Sequence, residues 1–388
     1  MKKLIITIMS LCFVFSSCNL SSQNNSVNTK MSNKKFILSD ISEIYNGISK
    51  DINNYYTKLT IPNNVKCDPP EKLYELTMKY QNDNKDLNYA SERAERLNEI
   101  FCKNNKIQKD TLSLSETQLD YMTDDDCLDY TLNCSVFGEF NCFNEKTYND
   151  IYNASELNIV KSYYLNRDTS DLKDSYILNN KNITIEQAVE NVEAFVNNDL
   201  SFFNDDKKIV SKVRDIYVYQ YNGKFTFKFR LGKVLGSVPL MECDIMQYEK
   251  LEESTEHFIT SCMSVTMTTD NTFDIINNYD CLMLDNKEEI SQIIPLKEAM
   301  NILEQELADN VHFDIDDISL EYCCKQGFHA EDGSTDLTLD NFDSSDKFEY
   351  SPYWCFYIDD NDNIAIGNEH PRKCLMVDAL KGELSVLI

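Results

Sequence analysis

The sequence predicts an α+β protein: an N-terminal mixed α/β region followed by two tandem modules, each a helix packed on an antiparallel sheet. Three observations carry this. An amphipathic helical stripe occurs twice in the second half of the chain, strands of period-two alternation follow each copy, and both copies end on the same short motif. A helix with one apolar stripe and a sheet with one apolar face bury both by packing on each other.

The chain opens on Lys2 and Lys3, an apolar run from Leu4 to Phe15, and then Ser16-Ser17-Cys18. A short basic segment, an apolar segment and small residues before the cleavage point mark a secretory signal. With Cys18 as first mature residue the pattern is that of a bacterial lipoprotein, and Cys18 is the expected lipidation site. Stable anchoring takes two acyl chains, which a diacylglycerol thioether supplies. The expected location is the outer face of the cell membrane. Residues 19–34 are polar and aperiodic, and read as a tether.

Residues 35–180 are assigned to an N-terminal α+β domain. Ile41 to Tyr56, Glu71 to Tyr80 and Tyr89 to Phe101 have helical spacing. Tyr130 to Val136 alternates and is followed by Phe137-Gly138-Glu139-Phe140-Asn141-Cys142-Phe143, a hairpin pattern turning near Gly138. Cys134 and Cys142 then fall on neighbouring strands, as a cross-strand pair if oxidised.

Residues 181–290 and 291–388 form the two modules. In the first, Ile185, Ala188, Val189, Val192 and Val196 make one helical stripe; in the second, Leu296, Ala299, Met300, Leu303 and Leu307 do. Thr184 with Gln187 predicts a capping box, and Pro295 takes the corresponding first-turn place. Asn222-Gly223, between Ile216–Tyr221 and Lys224–Leu231, predicts a hairpin. Phe225, Phe227, Phe229 and Leu231 are expected on its buried face, with Lys224, Thr226, Lys228 and Arg230 on a wet face. Phe225, Phe227, Phe229, Tyr217 and Tyr219 are weighed as an aromatic binding face, against the plainer reading of a sheet face under its own helix. In the second module the strands are Ile318–Tyr322 and Tyr353–Ile358. The closing motifs are Cys281-Leu282-Met283-Leu284-Asp285 and Cys374-Leu375-Met376-Val377-Asp378.

Each module resembles the PepSY domain. The residues that carry the resemblance are the Ala in the helical stripe, Trp354 with Tyr357 on a strand, and Val377-Asp378-Ala379-Leu380-Lys381-Gly382-Glu383. The first module departs from it, since Leu284-Asp285-Asn286-Lys287-Glu288-Glu289 has no turn glycine. The chain as a whole resembles the uncharacterised lipoproteins of gut Firmicutes. The resemblance covers about half the chain, implies a module that binds or restrains partners, and brings no catalytic residues with it.

Composition sets further limits. The chain has 388 residues, 42% of them hydrophobic and 11% aromatic, enough to build real cores. The net charge is −28, and losing Lys2 and Lys3 makes the mature chain more negative. Such a surface repels phosphate backbones, so nucleic acid is excluded as a partner. An envelope or secreted protein is the expected partner, with the membrane reached only through the lipid.

Of the 14 cysteines, Cys12 leaves with the signal and Cys18 carries lipid, so an even number remains outside the cytoplasm, where disulfides are permitted. A Lys-, Asn- and Ile-rich bias is the mark of an AT-rich genome, as in many anaerobes, where thiols stay reduced. Cys323-Cys324 is a vicinal pair, and no four Cys or His positions have zinc spacing.

His257, His312, His329 and His370 lie in no metalloprotease motif, and no phosphate-binding or nucleophile-elbow motif is present. No catalytic residue is assigned, and the chain is read as a non-catalytic interaction or regulatory module. The alternative is an extracytoplasmic protein that binds a peptide, a glycan or calcium. The calcium candidates are Asp124 and Asp126, and Asp360 and Asp362; neither cluster fits the EF-hand loop, and a solvated turn is the plainer reading. Glu331 to Asp346 reads as an acidic solvated loop.

Overall fold

The computed structural model describes residues 36–48, 55–62, 65, 68–82, 86–115, 120–124, 127–152, 158–164, 170–203, 209–241, 262–278, 282–324, 347–358 and 374–387. The signal peptide, the tether, Asp126, Asp360, Asp362, His257, His329, His370 and the 331–346 stretch lie outside them.

Strands hold about half of the described residues and helices about a quarter. The strands gather into two large antiparallel sheets. The larger has the spatial order 112–115, 120–123, 130–135, 140–144, 273–278, 262–267, 224–235, 209–221, 158–164, with 238–239 added beside 224–235. The smaller has the order 282–290, 73–80, 347–358, 313–324, 59–60, with 374–378 and 384–387 continuing from 347–358.

This corrects the expected fold class. The chain is mostly β, and two helix-on-sheet PepSY-like modules after an α/β region are not what it forms. Each sheet recruits strands from distant parts of the sequence. Leu73–Tyr80 pairs with Leu282–Ile290 on one side and with Lys347–Tyr350 on the other. Phe140–Asn144 pairs with Phe273–Asn278. A strand edge left open is a row of unpaired donors and acceptors, and here the N-terminal strands fill those edges.

Four α-helices dress the sheets among the described residues: α1 Leu87–Asn105, α2 Glu145–Tyr152, α3 Ile185–Ala194 and α4 Leu296–Glu306. The Asp86 carboxylate caps α1 by accepting from the Asn88 N–H at 2.9 Å. Its Ala94, Leu97 and Phe101 enter one core with Leu132, Phe227 and Phe229 of the larger sheet. α3 enters the same core through Ile185, Ala188 and Val192, and α4 lines the other with Trp354 and Phe356. The Thr184–Gln187 capping box is present, with bonds of 3.1 and 3.2 Å. A π-helical turn, Phe195–Asp199, follows α3 and turns both Phe195 and Val196 inward.

Asn222 and Gly223 sit at φ +47° and +72°, as the tight hairpin between 209–221 and 224–235 requires. The Gly138 hairpin also forms. Glu71 to Tyr80, by contrast, is a strand: Leu73, Leu76, Met78 and Tyr80 are buried between two neighbouring strands. Within Ile41 to Tyr56 the described residues hold a 3₁₀ turn at Ile41–Glu43.

The wet face expected on Lys224–Leu231 is largely dry. Thr226 and Arg230 are buried, and Arg230 faces Asp215 at 3.8 Å. The aromatic binding face does not form either. Register sets Val218 opposite Phe227 and Tyr219 opposite Thr226, so the phenylalanines and Tyr217 and Tyr219 lie on opposite faces. Both faces are covered: Tyr176 stacks edge-on to Phe225 and Phe227, and α2 packs behind through Ile151, Tyr221 and Ile275.

Candidate functional site

Among the described residues, a group of buried and part-buried ionisable and sulfur-bearing side chains lies where the two sheets meet. The strand 209–221 of the larger sheet supplies Arg214. The strands 313–324, 347–358 and 374–378 of the smaller sheet supply Ser319, Glu321 and Cys323, Tyr357 and Cys355, and Cys374. The chain passes from one sheet to the other just after 238–239. Leu240 bridges to Tyr322, and the Met241 N–H donates to the Tyr322 carbonyl at 2.9 Å.

Glu321 is fully buried. Arg214 donates to its two oxygens at 2.8 and 3.1 Å. The Tyr357 hydroxyl donates to Oε1 at 2.7 Å and the Ser319 hydroxyl donates to the same oxygen. Arg214 also reaches the Tyr357 oxygen at 3.3 Å. A buried carboxylate is tolerated when paired and hydrogen-bonded, and here donors occupy both oxygens. Burial, and then the Glu321 charge, push the Tyr357 hydroxyl well above its ordinary value. The arrangement is a clasp between sheets, with donors on both carboxylate oxygens.

Beside it lies a sulfur group. Met241, Cys323, Cys355 and Cys374 are all buried, with Tyr353 and Tyr357 around them. The Cys323 Sγ is 3.3 Å from the Met241 Sδ and 3.8 Å from the Cys355 Sγ. Burial alone raises the Cys355 thiol, but hydrogen bonds from Cys323 and Cys374 and the Arg214 charge outweigh it and hold it down to about 7. Cys374 moves well upward, through burial and through donating to Cys355.

The vicinal pair divides between faces: Cys323 points inward and Cys324 is half-buried, as alternation along a strand demands. All eight cysteines whose side chains are described are free thiols. Register places Cys142 opposite Leu132 and Cys134 opposite Phe140, so Cys134 and Cys142 are diagonal neighbours in one core.

His312 is structural. Its Nδ1 donates to the Thr57 carbonyl at 2.9 Å, and its Nε2 lies 2.9 Å from the Thr60 hydroxyl and 3.6 Å from the Asp314 carboxylate. Asp124 closes a turn through its carbonyl, which accepts from the Cys127 N–H at 2.9 Å. Among the described residues no three His, Cys, Asp or Glu side chains are grouped to hold a metal. None of the described helices is long and apolar enough to cross a membrane.

The sequence assigns no site role to Arg214, Met241, Glu321 or Tyr357. The signal available was the second face of the strand pair: Ser319, Glu321 and Cys323 alternate with Ile318, Leu320 and Tyr322, and Tyr353, Cys355 and Tyr357 alternate with Trp354 and Phe356. A face rich in Cys and Tyr is unsuited to water.

No family model matches the chain, and no curated protein matches it. Its fold is similar to the crystal structure of an uncharacterized protein from Eubacterium rectale ATCC 33656, with a TM-score of 0.50 and 11% identity over 86% of this chain and 94% of that one. At that identity the likeness is one of fold alone.

Proposed function

We propose that the protein is a lipid-anchored extracytoplasmic lipoprotein whose folded part is a non-catalytic module that binds an envelope or secreted protein. The carrying observation is the run Leu4–Phe15 closed by Ser16-Ser17-Cys18 behind Lys2 and Lys3. Two further features support it. The acidic chain is kept from anionic head groups by charge, so a lipid on Cys18 does the holding. The most buried carboxylate is committed to joining two sheets, which suits a rigid binding platform.

The test compares wild type with Cys18→Ala in intact cells, by fractionation and by crosslinking with mass spectrometry. Expected is a membrane-bound, externally protease-accessible wild type with a reproducible protein partner, and release of the Cys18→Ala chain from the membrane. Retention of Cys18→Ala in the membrane, or a wild type that joins to no protein, counts against the reading.

A further inference from the structure

Beside the clasp, two thiols and a thioether lie at contact distance, with a third buried thiol, Cys374, in the same cluster. The Cys323 Sγ lies 3.3 Å from the Met241 Sδ and 3.8 Å from the Cys355 Sγ. The geometry points to a buried Cu(I) site formed by Met241, Cys323 and Cys355, with Cys374 buried beside it.

The spacing suits an ion. A bond from metal to thiolate of about 2.3 Å sets sulfur ligands roughly 3.8–4.0 Å apart in tetrahedral or trigonal geometry. The Cys323–Cys355 separation of 3.8 Å already has that value, and the Met241 Sδ, at 3.3 Å from the Cys323 Sγ, moves outward to meet the ion. The ligands are held for it. Cys323 and Cys355 stand on paired strands, and the backbone bond from Met241 to Tyr322 fixes the thioether next to Cys323.

The donor set selects the metal. Thiolate and thioether are soft, and together they favour Cu(I); a thioether is a poor ligand for zinc and no ligand for calcium. Two thiols and one thioether also fall short of three His, Cys, Asp or Glu ligands, in keeping with the absence of such a group among the described residues.

The chemistry balances without an oxidant. Each of Cys323 and Cys355 gives its proton to solvent as its sulfur lone pair goes to the metal, and copper stays monovalent throughout. All four sulfur side chains are buried, so the ion enters as the chain folds.

The test uses the full chain made in copper-supplemented anaerobic cells. Wild type, Met241→Leu, Cys355→Ser and Cys134→Ser are compared by elemental analysis and by the luminescence of solvent-shielded Cu(I)–thiolate centres. Expected is about one copper per chain in wild type and in Cys134→Ser, and a roughly tenfold or greater loss in Cys355→Ser. Met241→Leu is nearly isosteric and keeps its fold, so its loss of copper to a competing Cu(I) chelator separates ligation from misfolding. Copper below about a tenth of an equivalent in wild type, zinc in its place, or a Met241→Leu chain that holds copper against the chelator as well as wild type does overturns the assignment.

Discussion

Arg214 on the larger sheet and Glu321 on the smaller form a two-pronged ion pair at 2.8 and 3.1 Å, with the carboxylate wholly out of water. Removing one partner strands the other charge. Arg214→Met is expected to cost about 3–5 kcal/mol in urea unfolding, whereas Arg214→Met with Glu321→Leu recovers most of that loss, because an apolar pair of similar volume needs no solvation. A cost below about 1 kcal/mol for the single change would place the pair with exposed ones and refute the clasp.

Gly382 faces Phe36. A Cβ built on Gly382, at φ +70°, meets the Phe36 ring at 2.6 to 2.8 Å. Gly223 has φ +72° and open space around it. Gly223→Ala therefore costs only the left-handed backbone strain, about 1–2 kcal/mol. Gly382→Ala adds about 1–3 kcal/mol of overpacking, which Phe36→Ala in the same chain relieves. Equal losses at the two glycines, read by thermal or urea unfolding, would show that the ring is not held against the turn.

The same turn explains why its residues read so clearly. Asp378 accepts from the Leu380 and Lys381 N–H groups at 2.8 and 3.0 Å, and the Gly382 N–H returns to its carbonyl. Signals of this kind are local, and so legible: the Thr184 cap, the Asn222-Gly223 hairpin and the stripe of α4 all appear where the sequence puts them. Thr184→Ala should cost about 1 kcal/mol by loss of that cap, seen as a lowered unfolding midpoint with an unchanged denaturant slope. A change within error would mean that packing alone sets the start of α3.

What stayed illegible is non-local. Leu73–Tyr80 is rich in Leu, Glu, Met and Lys, good helix formers, and becomes a strand because two distant strands bracket it. Arg230 and Glu321 alternate with apolar residues as wet-face charges do, and are buried because each sheet is covered on both sides. The candidate site shares this origin, since Arg214 and Glu321 lie 107 residues apart and meet only after the sheets join.

Alkaline stability follows from the buried tyrosines. Burial raises Tyr130, Tyr217, Tyr322 and Tyr353 well above the ordinary phenol value, and raises Tyr56 to about 12. The folded state keeps these protons after the unfolded chain, titrating near pH 10, has lost them. Between those two values the unfolded state holds fewer protons, so stability falls as pH rises. The contribution is complete below about pH 10 and is lost above it, at up to about 1.4 kcal/mol per pH unit for each tyrosine. Tyr322→Phe gives up the bond that its oxygen accepts from the Tyr74 N–H at 3.2 Å. It should lose about 1 kcal/mol near neutrality and show a shallower alkaline decline than wild type. Tyrosinate absorbance followed alongside circular dichroism separates the cases. Full ionisation near pH 10 with the native spectrum intact would mean that these phenols reach water in the folded chain.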